Sequence, residues 1–288
     1  MQPIIKLTPV IRFDTTAALR QHLAPLRSGQ SIGLVPTMGA LHEGHRSLIE
    51  AARRAGDLVV ASVFVNPAQF NNPDDLARYP RSLDDDYQML EAAGCDVVLA
   101  PSVTEVYPEP PTLRLNFGEL ETAMEGAFRP GHFNGVGIVV AKLLNIVQPH
   151  RAYFGQKDLQ QVAVVRKLIS DFSFPVELVR CSTVREADGL AMSSRNRNLT
   201  PEERALAPAL HEALILAQDL LAEGQSTAQA KAAVTGFFSS NPNFRLEYVE
   251  IANADTLQPV GEVLAPGQTA ICLAVYLGKV RLIDNVVF

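Results

Sequence analysis

Over the first two-thirds of the chain, short apolar runs alternate with amphipathic stretches. Ser31–Val35 (SIGLV) and Asp57–Val65 (DLVVASVFV) read as buried strands, the second rich in β-branched residues. Between them, from about Gly44, Leu48, Ile49, Ala52 and Ala55 recur at helical spacing. Arg46, Glu50, Arg53 and Arg54 take the opposite face. Asn66–Pro80 is rich in Asn, Pro and Asp and reads as a loop. A helix is predicted over Ser82–Ala93, with Ser82 as its cap and Gly94 as its stop, then a third strand over Asp96–Ala100. Pro101–Pro130 lacks a period and reads as a long excursion. Gly135–Val147 and Asp158–Phe172 carry helical spacing, and Ala152–Phe154 and Val176–Arg180 read as strands. Buried strands alternating with helices predict an α/β domain, a Rossmann-like doubly wound parallel sheet. Ligands of such sheets bind beyond the carboxyl ends of the strands.

The last third differs. Thr200-Pro201-Glu202-Glu203 is a helix start, with a capping-box pair and Pro at the first helical position. That helix is predicted to run to Glu223 and stop at Gly224, with a second over Thr227–Ser239. Strands follow at Leu246–Ala252, Thr269–Leu277 and Val280–Val287, the last two joined by a Gly278-Lys279 turn. The pattern predicts two domains, 1–183 and 184–288, the second a smaller α+β lid.

Composition narrows the function classes. The 288 residues are 47% apolar and 19% charged, which excludes global disorder. A net charge of −6 gives no footprint for nucleic acid or an anionic membrane. No apolar run is read as spanning a bilayer, and the N-terminus shows no basic region leading into a long apolar one. Cys95, Cys181 and Cys272 are far apart and in no CxxC pattern, which fits a reducing cytoplasm.

Three motifs bear chemistry. PTMGALHEGH (Pro36–His45) follows a strand and opens a helix, where unpaired backbone N–H groups suit phosphate. His42 and His45 lie one turn apart, so both rings, as imidazolium donors, can meet phosphate oxygens. HxGH in that context is the nucleotidyltransferase signature. It is not HExxH, so a zinc pair is absent. AMSSRN (Ala191–Asn196) offers two hydroxyls and a guanidinium suited to polyphosphate. FGQKD (Phe154–Asp158) is a strand, a Gly turn and a helix start, with Lys157 able to reach a phosphate and Asp158 a candidate cap, ribose or metal ligand. Asp84-Asp85-Asp86 reads as a solvated first helical turn.

Taken in order, PTMGALHEGH, SVFVNPAQF, RPGHFNGV, FGQKDLQQ and READGLAMSSRN resemble the pantothenate synthetase (pantoate–β-alanine ligase) family, within the HxGH superfamily. The closing RLIDNVVF resembles it less specifically. The resemblance implies an AMP-forming ligase that uses ATP and Mg²⁺ to turn (R)-pantoate into pantoyl adenylate, which β-alanine then captures. It implies that Met38, Gly39, Ala40, Leu41, His42, Glu43, Gly44 and His45 hold ATP, with His45 the catalytic donor and His42 beside it. Gly155, Gln156, Lys157, Asp158, Val184, Met192, Ser193, Ser194 and Arg195 match further ATP positions. Of these, Lys157, Ser193, Ser194 and Arg195 would stabilise the reacting phosphorus and leaving pyrophosphate. Gln69 and Gln161 match pantoate ligands, Gln69 also lies near β-alanine, and Asn66 is grouped with them as supporting their loop. Mg²⁺ is expected on the ATP phosphates, with no metal site of the protein's own. A cytoplasmic homodimer is implied, with no nucleic-acid or membrane partner. The family often has Glu where this chain has Gln156. Pro67–Tyr79 is expected to gate the site. The alternatives are another HxGH nucleotidyltransferase making a dinucleotide-type product, and a non-catalytic ATP-sensing module that would show no pyrophosphate exchange.

Overall fold

The computed structural model describes residues 9–71 and 73–288; the first eight residues, part of the leader reading, and Asn72, inside the expected gate, lie outside them. The chain divides into two compact units. One holds the chain through Gly155 together with Val164–Cys181; the other holds Gln156–Ala163 and Ser182–Phe288. The Lys157 segment therefore belongs to the second unit, although it lies well before residue 183.

In the first unit six strands form one parallel sheet: β1 (Ile11–Phe13), β2 (Ile32–Thr37), β3 (Leu58–Val63), β4 (Val97–Leu99), β5 (Arg151–Gly155) and β6 (Glu177–Cys181). The order is β1-β4-β3-β2-β5-β6. The chain winds outward from β2 in one direction and from β5 in the other, so the sheet has a switch point between them. A doubly wound sheet opens its binding crevice there. Pro36–His45 leaves the carboxyl end of β2, which places that motif at the switch point. Leu48, Ile49 and Ala52 of helix Glu43–Arg54 pack with Val35, Val59 and Ala61 of the central strands. The central strands are buried on both faces, which is why their sequences are continuous apolar runs.

Several elements differ from expectation. Short β1 and helix Thr16–Leu23, capped by Thr15, carry too little apolar period to be seen in the sequence. The expected loop Asn66–Pro80 contains a 3₁₀ turn at Pro67–Gln69 and a helix at Pro73–Arg78. The helix expected from Gly135 begins at His132. Ser82 precedes helix Leu83–Ala93, but its hydroxyl bonds the Asp85 carboxylate and caps no backbone N–H.

In the second unit β7 (Phe244–Asn253), β8 (Thr269–Leu277) and β9 (Val280–Val287) form an antiparallel sheet in that order. The long helix expected from Thr200 is two, Pro201–Leu206 and Ala209–Ala222, interrupted at Ala207-Pro208 where proline cannot continue the hydrogen-bond ladder. The capping box of Thr200 and Glu203 is present. By length and composition alone the stretch Pro201–Ala222 passes for a membrane span, a test that the core helix of a globular protein also passes. Its Leu210, Ala213, Leu214, Ala217 and Leu221 instead pack against Val234, Phe238, Ile271 and Leu273 in this unit's core.

Candidate active site

In the first unit the Met38–His45 segment is held by side chains rather than left open. The two oxygens of Asp86 accept from Ala40 N (3.1 Å) and Leu41 N (2.8 Å), and Thr37 Oγ1 accepts from Gly39 N (3.3 Å). Asp86 is 3% exposed. This corrects its reading as part of a solvated acidic turn: Asp86 shares a buried stripe with Leu90 and Ala93. Gly39 has φ +79°, and a Cβ there would stand 2.7 Å from Asp86 Oδ2. Only glycine allows this turn and this contact together. Asp86→Ala would leave two buried amides without acceptors. It is expected to destabilise the protein by roughly 2–3 kcal/mol, read as a lowered urea midpoint at unchanged slope. Gly39→Ala is expected to cost about 1–3 kcal/mol by the same measurement, from strain at positive φ.

The helix start itself is capped by imidazoles. His42 Nδ1 accepts from Gly44 N (3.1 Å), and His45 Nδ1 accepts from His42 N (3.3 Å), a capping box built from two histidines. The rings lie 4.2 Å apart, tilted by 52°. Backbone N–H groups can only donate, so each Nδ1 acts as an acceptor and the fitting tautomer carries its proton on Nε2. Two expectations are corrected. The amides of Gly39, Ala40, Leu41, His42 and Gly44 are already engaged, and the arrangement offers neutral Nε2–H donors rather than imidazolium. The motif thus exchanges weak backbone donors for two directed side-chain donors. Glu43 points outward, beside Arg46.

Beyond β3, Asn66 and Gln69 are 1% and 7% exposed. Asn66 Nδ2 donates to Gln69 Oε1 (3.1 Å) and Gly135 O (3.1 Å). Its Oδ1 accepts from Tyr107 Oη (2.9 Å) and Ala68 N (3.2 Å). All four hydrogen-bonding positions of this amide are filled within the protein, so Asn66 orients Gln69 and has no position left for a ligand. Burial pushes the Tyr107 phenol up to about 12, so it remains a donor near neutrality. With Gln69 Oε1 turned to Asn66, its Nε2 faces Met38, 2.9 Å from Sδ. The Gln69 carbonyl lies 2.8 Å from His132 Nδ1, and Arg129 Nη1 stands 3.2 Å from His132 Nε2. RPGH therefore closes onto the Gln69 turn. A Cβ on Gly135 would be 2.1 Å from Ala68 O, so that turn sits directly on helix His132–Val147.

The second unit gathers the other residues. Gln156–Asp158 is a 3₁₀ turn leading into helix Leu159–Asp171; Lys157 Nζ lies 3.9 Å from Asp158 Oδ1, and half-buried Gln161 is in the first helical turn. Val184 O accepts from Met192 N (3.0 Å), closing a loop of which Arg185 and Ala191 form a β-bridge. Ser193 Oγ accepts from Arg195 N (3.3 Å) at the start of the 3₁₀ turn Ser194–Asn198. Asn196 Nδ2 donates to Ala191 O and Glu186, and Arg204 binds Glu186 and Asp188, each at 2.6 Å. The Arg204 bond holds the Asp188 carboxyl below its usual range. The candidate residues therefore form two groups. Met38–His45, Asn66, Gln69 and Gly155 are on the first unit, and Gln156–Asp158, Gln161, Val184 and Met192–Arg195 on the second. The sequence reading missed Tyr107 and the buried role of Asp86; it left Arg129 and His132 between the nucleotide entrance and a structural loop, and their contacts with each other and with the Gln69 turn are those of a structural loop.

Comparison with known proteins identifies the family. A family model described as pantoate-beta-alanine ligase matches residues 11–287. The pantothenate synthetase of Moorella thermoacetica is 50% identical over 276 residues, covering 95% of this chain and 97% of that protein. The crystal structure of pantothenate synthetase from Thermus thermophilus superposes with a TM-score of 0.90 at 46% identity, covering 96% of this chain and 99% of that one. The pantoate-beta-alanine ligase from Francisella tularensis, complexed with beta-gamma ATP and beta-alanine, gives 0.81 at 37% identity, over 96% and 97%.

Proposed function

The chain belongs to the pantoate–β-alanine ligase family, and on that premise we propose that it joins (R)-pantoate to β-alanine with ATP, through a pantoyl adenylate, releasing AMP and pyrophosphate. The observation that carries this reading is the paired-imidazole cap at the carboxyl end of β2, beside a Gln69 amide whose direction is fixed. A carboxylate is a weak nucleophile toward a polyanion, so orientation and charge neutralisation supply most of the acceleration. In step one a pantoate carboxylate oxygen attacks the α-phosphorus and the bond to the bridging oxygen of pyrophosphate breaks. His42 and His45 donate from Nε2 to phosphate oxygens as charge grows there. Lys157, Ser193, Ser194 and Arg195 take up the charge of the departing pyrophosphate. Gln69 and Gln161 hold pantoate by amides that take no proton from it, Gln69 through its Nε2. In step two the neutral β-alanine amine attacks the acyl carbon, the bond from that carbon to the AMP oxygen breaks, and the amine's proton passes to the departing AMP phosphate or to water.

Met38–His45, Gly155–Asp158, Val184 and Met192–Arg195 bind ATP in this reading, and Mg²⁺ arrives on its phosphates. Residues 184–288 act as the lid, and the protein works as a cytoplasmic homodimer with small-molecule substrates alone. Product analysis tests the reading. MgATP with (R)-pantoate is expected to release pyrophosphate, with sustained AMP formation only when β-alanine is added. Pyrophosphate release without pantoate would return the chain to the other nucleotidyltransferases, and no release to the ATP-sensing module.

A further inference from the structure

The Lys157 turn and the Val184–Arg195 loop are fastened to one dipeptide of the last strand. Asn285, on β9, is 3% exposed, and its Nδ2 donates both protons to main-chain carbonyls, Gln156 O (3.0 Å) and Lys157 O (2.9 Å). Two carbonyl oxygens can be met only by the NH₂ end of the amide, and Oδ1 faces Gln156 Nε2 at 3.5 Å. The neighbouring Asp284, 2% exposed, takes the Arg185 guanidinium in two bonds, Nη1 to Oδ2 (2.6 Å) and Nη2 to Oδ1 (3.1 Å). Arg185 also donates to Asn285 O (3.2 Å) and Gly189 O (3.0 Å). Two consecutive buried polar residues break the strand's alternation, and both are spent on loops rather than on the sheet.

We propose that Asn285 is a positioning residue for adenylate formation, holding the Lys157 main chain so that its ammonium stands where the pyrophosphate departs. This rests on the reading of Lys157 given above. A turn held at one residue's own carbonyl fixes the origin of that residue's side chain, and a displacement of about 1 Å in such a group can cost about 100-fold in rate. Arg185 and Asp284 hold the other loop against the same strand.

The test compares the two half-reactions. In Asn285→Ala, pantoate-dependent pyrophosphate–ATP exchange is expected to fall about 10- to 100-fold. Capture of synthetic pantoyl adenylate by β-alanine, which needs no pyrophosphate departure, is expected to stay within about two-fold of wild type. Because Asn285 acts through Lys157, adding Asn285→Ala to Lys157→Ala is expected to cost nothing further, beyond the ~2-fold to which independent effects add. Wild-type exchange in Asn285→Ala, equal loss in both half-reactions, or full additivity with Lys157→Ala would overturn the proposal. An unimpaired Lys157→Ala would instead remove the reading of Lys157, and the proposal with it. Asn285→Ser, with one donor in place of two, carries the same comparison if the alanine variant does not fold.

Discussion

Replacing His45 by alanine is expected to lower pantoate-dependent pyrophosphate exchange by about 10²–10³-fold, the usual effect of removing one directed donor from a developing oxyanion. The capping geometry explains why ATP binding should suffer far less. His45 Nδ1 is engaged by the His42 amide, so in this reading its Nε2–H is the group lost to the ligand. Asp86 and Thr37 still hold the loop through Gly39, Ala40 and Leu41. His42 keeps its own bond to Gly44 N. Exchange kinetics together with ATP titration of the variant separates the two effects. A comparable loss in both would mean that His45 only builds the loop.

The second large effect is expected at Gln69. Gln69→Glu keeps the bond from Asn66 Nδ2, since Oε1 is retained, but replaces the Nε2 donor by an anionic oxygen. That oxygen would face a substrate carboxylate. The kcat/KM for pantoate is expected to fall about 10²–10³-fold, from lost orientation and like-charge repulsion, with KM for ATP nearly unchanged. Steady-state kinetics with pantoate and ATP varied separately checks this. Equal changes in both KM values would place Gln69 outside the pantoate site.

The parallel sheet was legible because its central strands, β2 and β3, are continuous apolar runs separated by a helix of strict period. The three-residue β1 was not, since three residues carry no period. The His42–His45 pair was legible as a motif at a helix start, but not the tautomers of its rings. Those follow from which backbone amides the rings cap, and only coordinates show that. Asp86 was misread because three consecutive Asp residues at a helix start suggest solvent. The spacing of Asp86, Leu90 and Ala93, four and then three residues, was the available signal that one of the three faces inward. Asp284-Asn285 carried a similar signal, two adjacent polar residues flanked by Leu282, Ile283, Val286 and Val287 in a hairpin strand. Tyr107 had none, and His132 stood out only as part of RPGH, because their partners Asn66 and Gln69 lie far away in sequence and meet them only through the tertiary fold.

The chain's central chemistry is attack of the pantoate carboxylate on the α-phosphorus, followed by loss of AMP to the amine. Turnover of pantoate labelled with ¹⁸O in its carboxylate, followed by mass spectrometry of the AMP, follows that oxygen directly. The adenylate route predicts one labelled oxygen in each AMP formed and none in pyrophosphate. Unlabelled AMP, or label in the pyrophosphate, would contradict it.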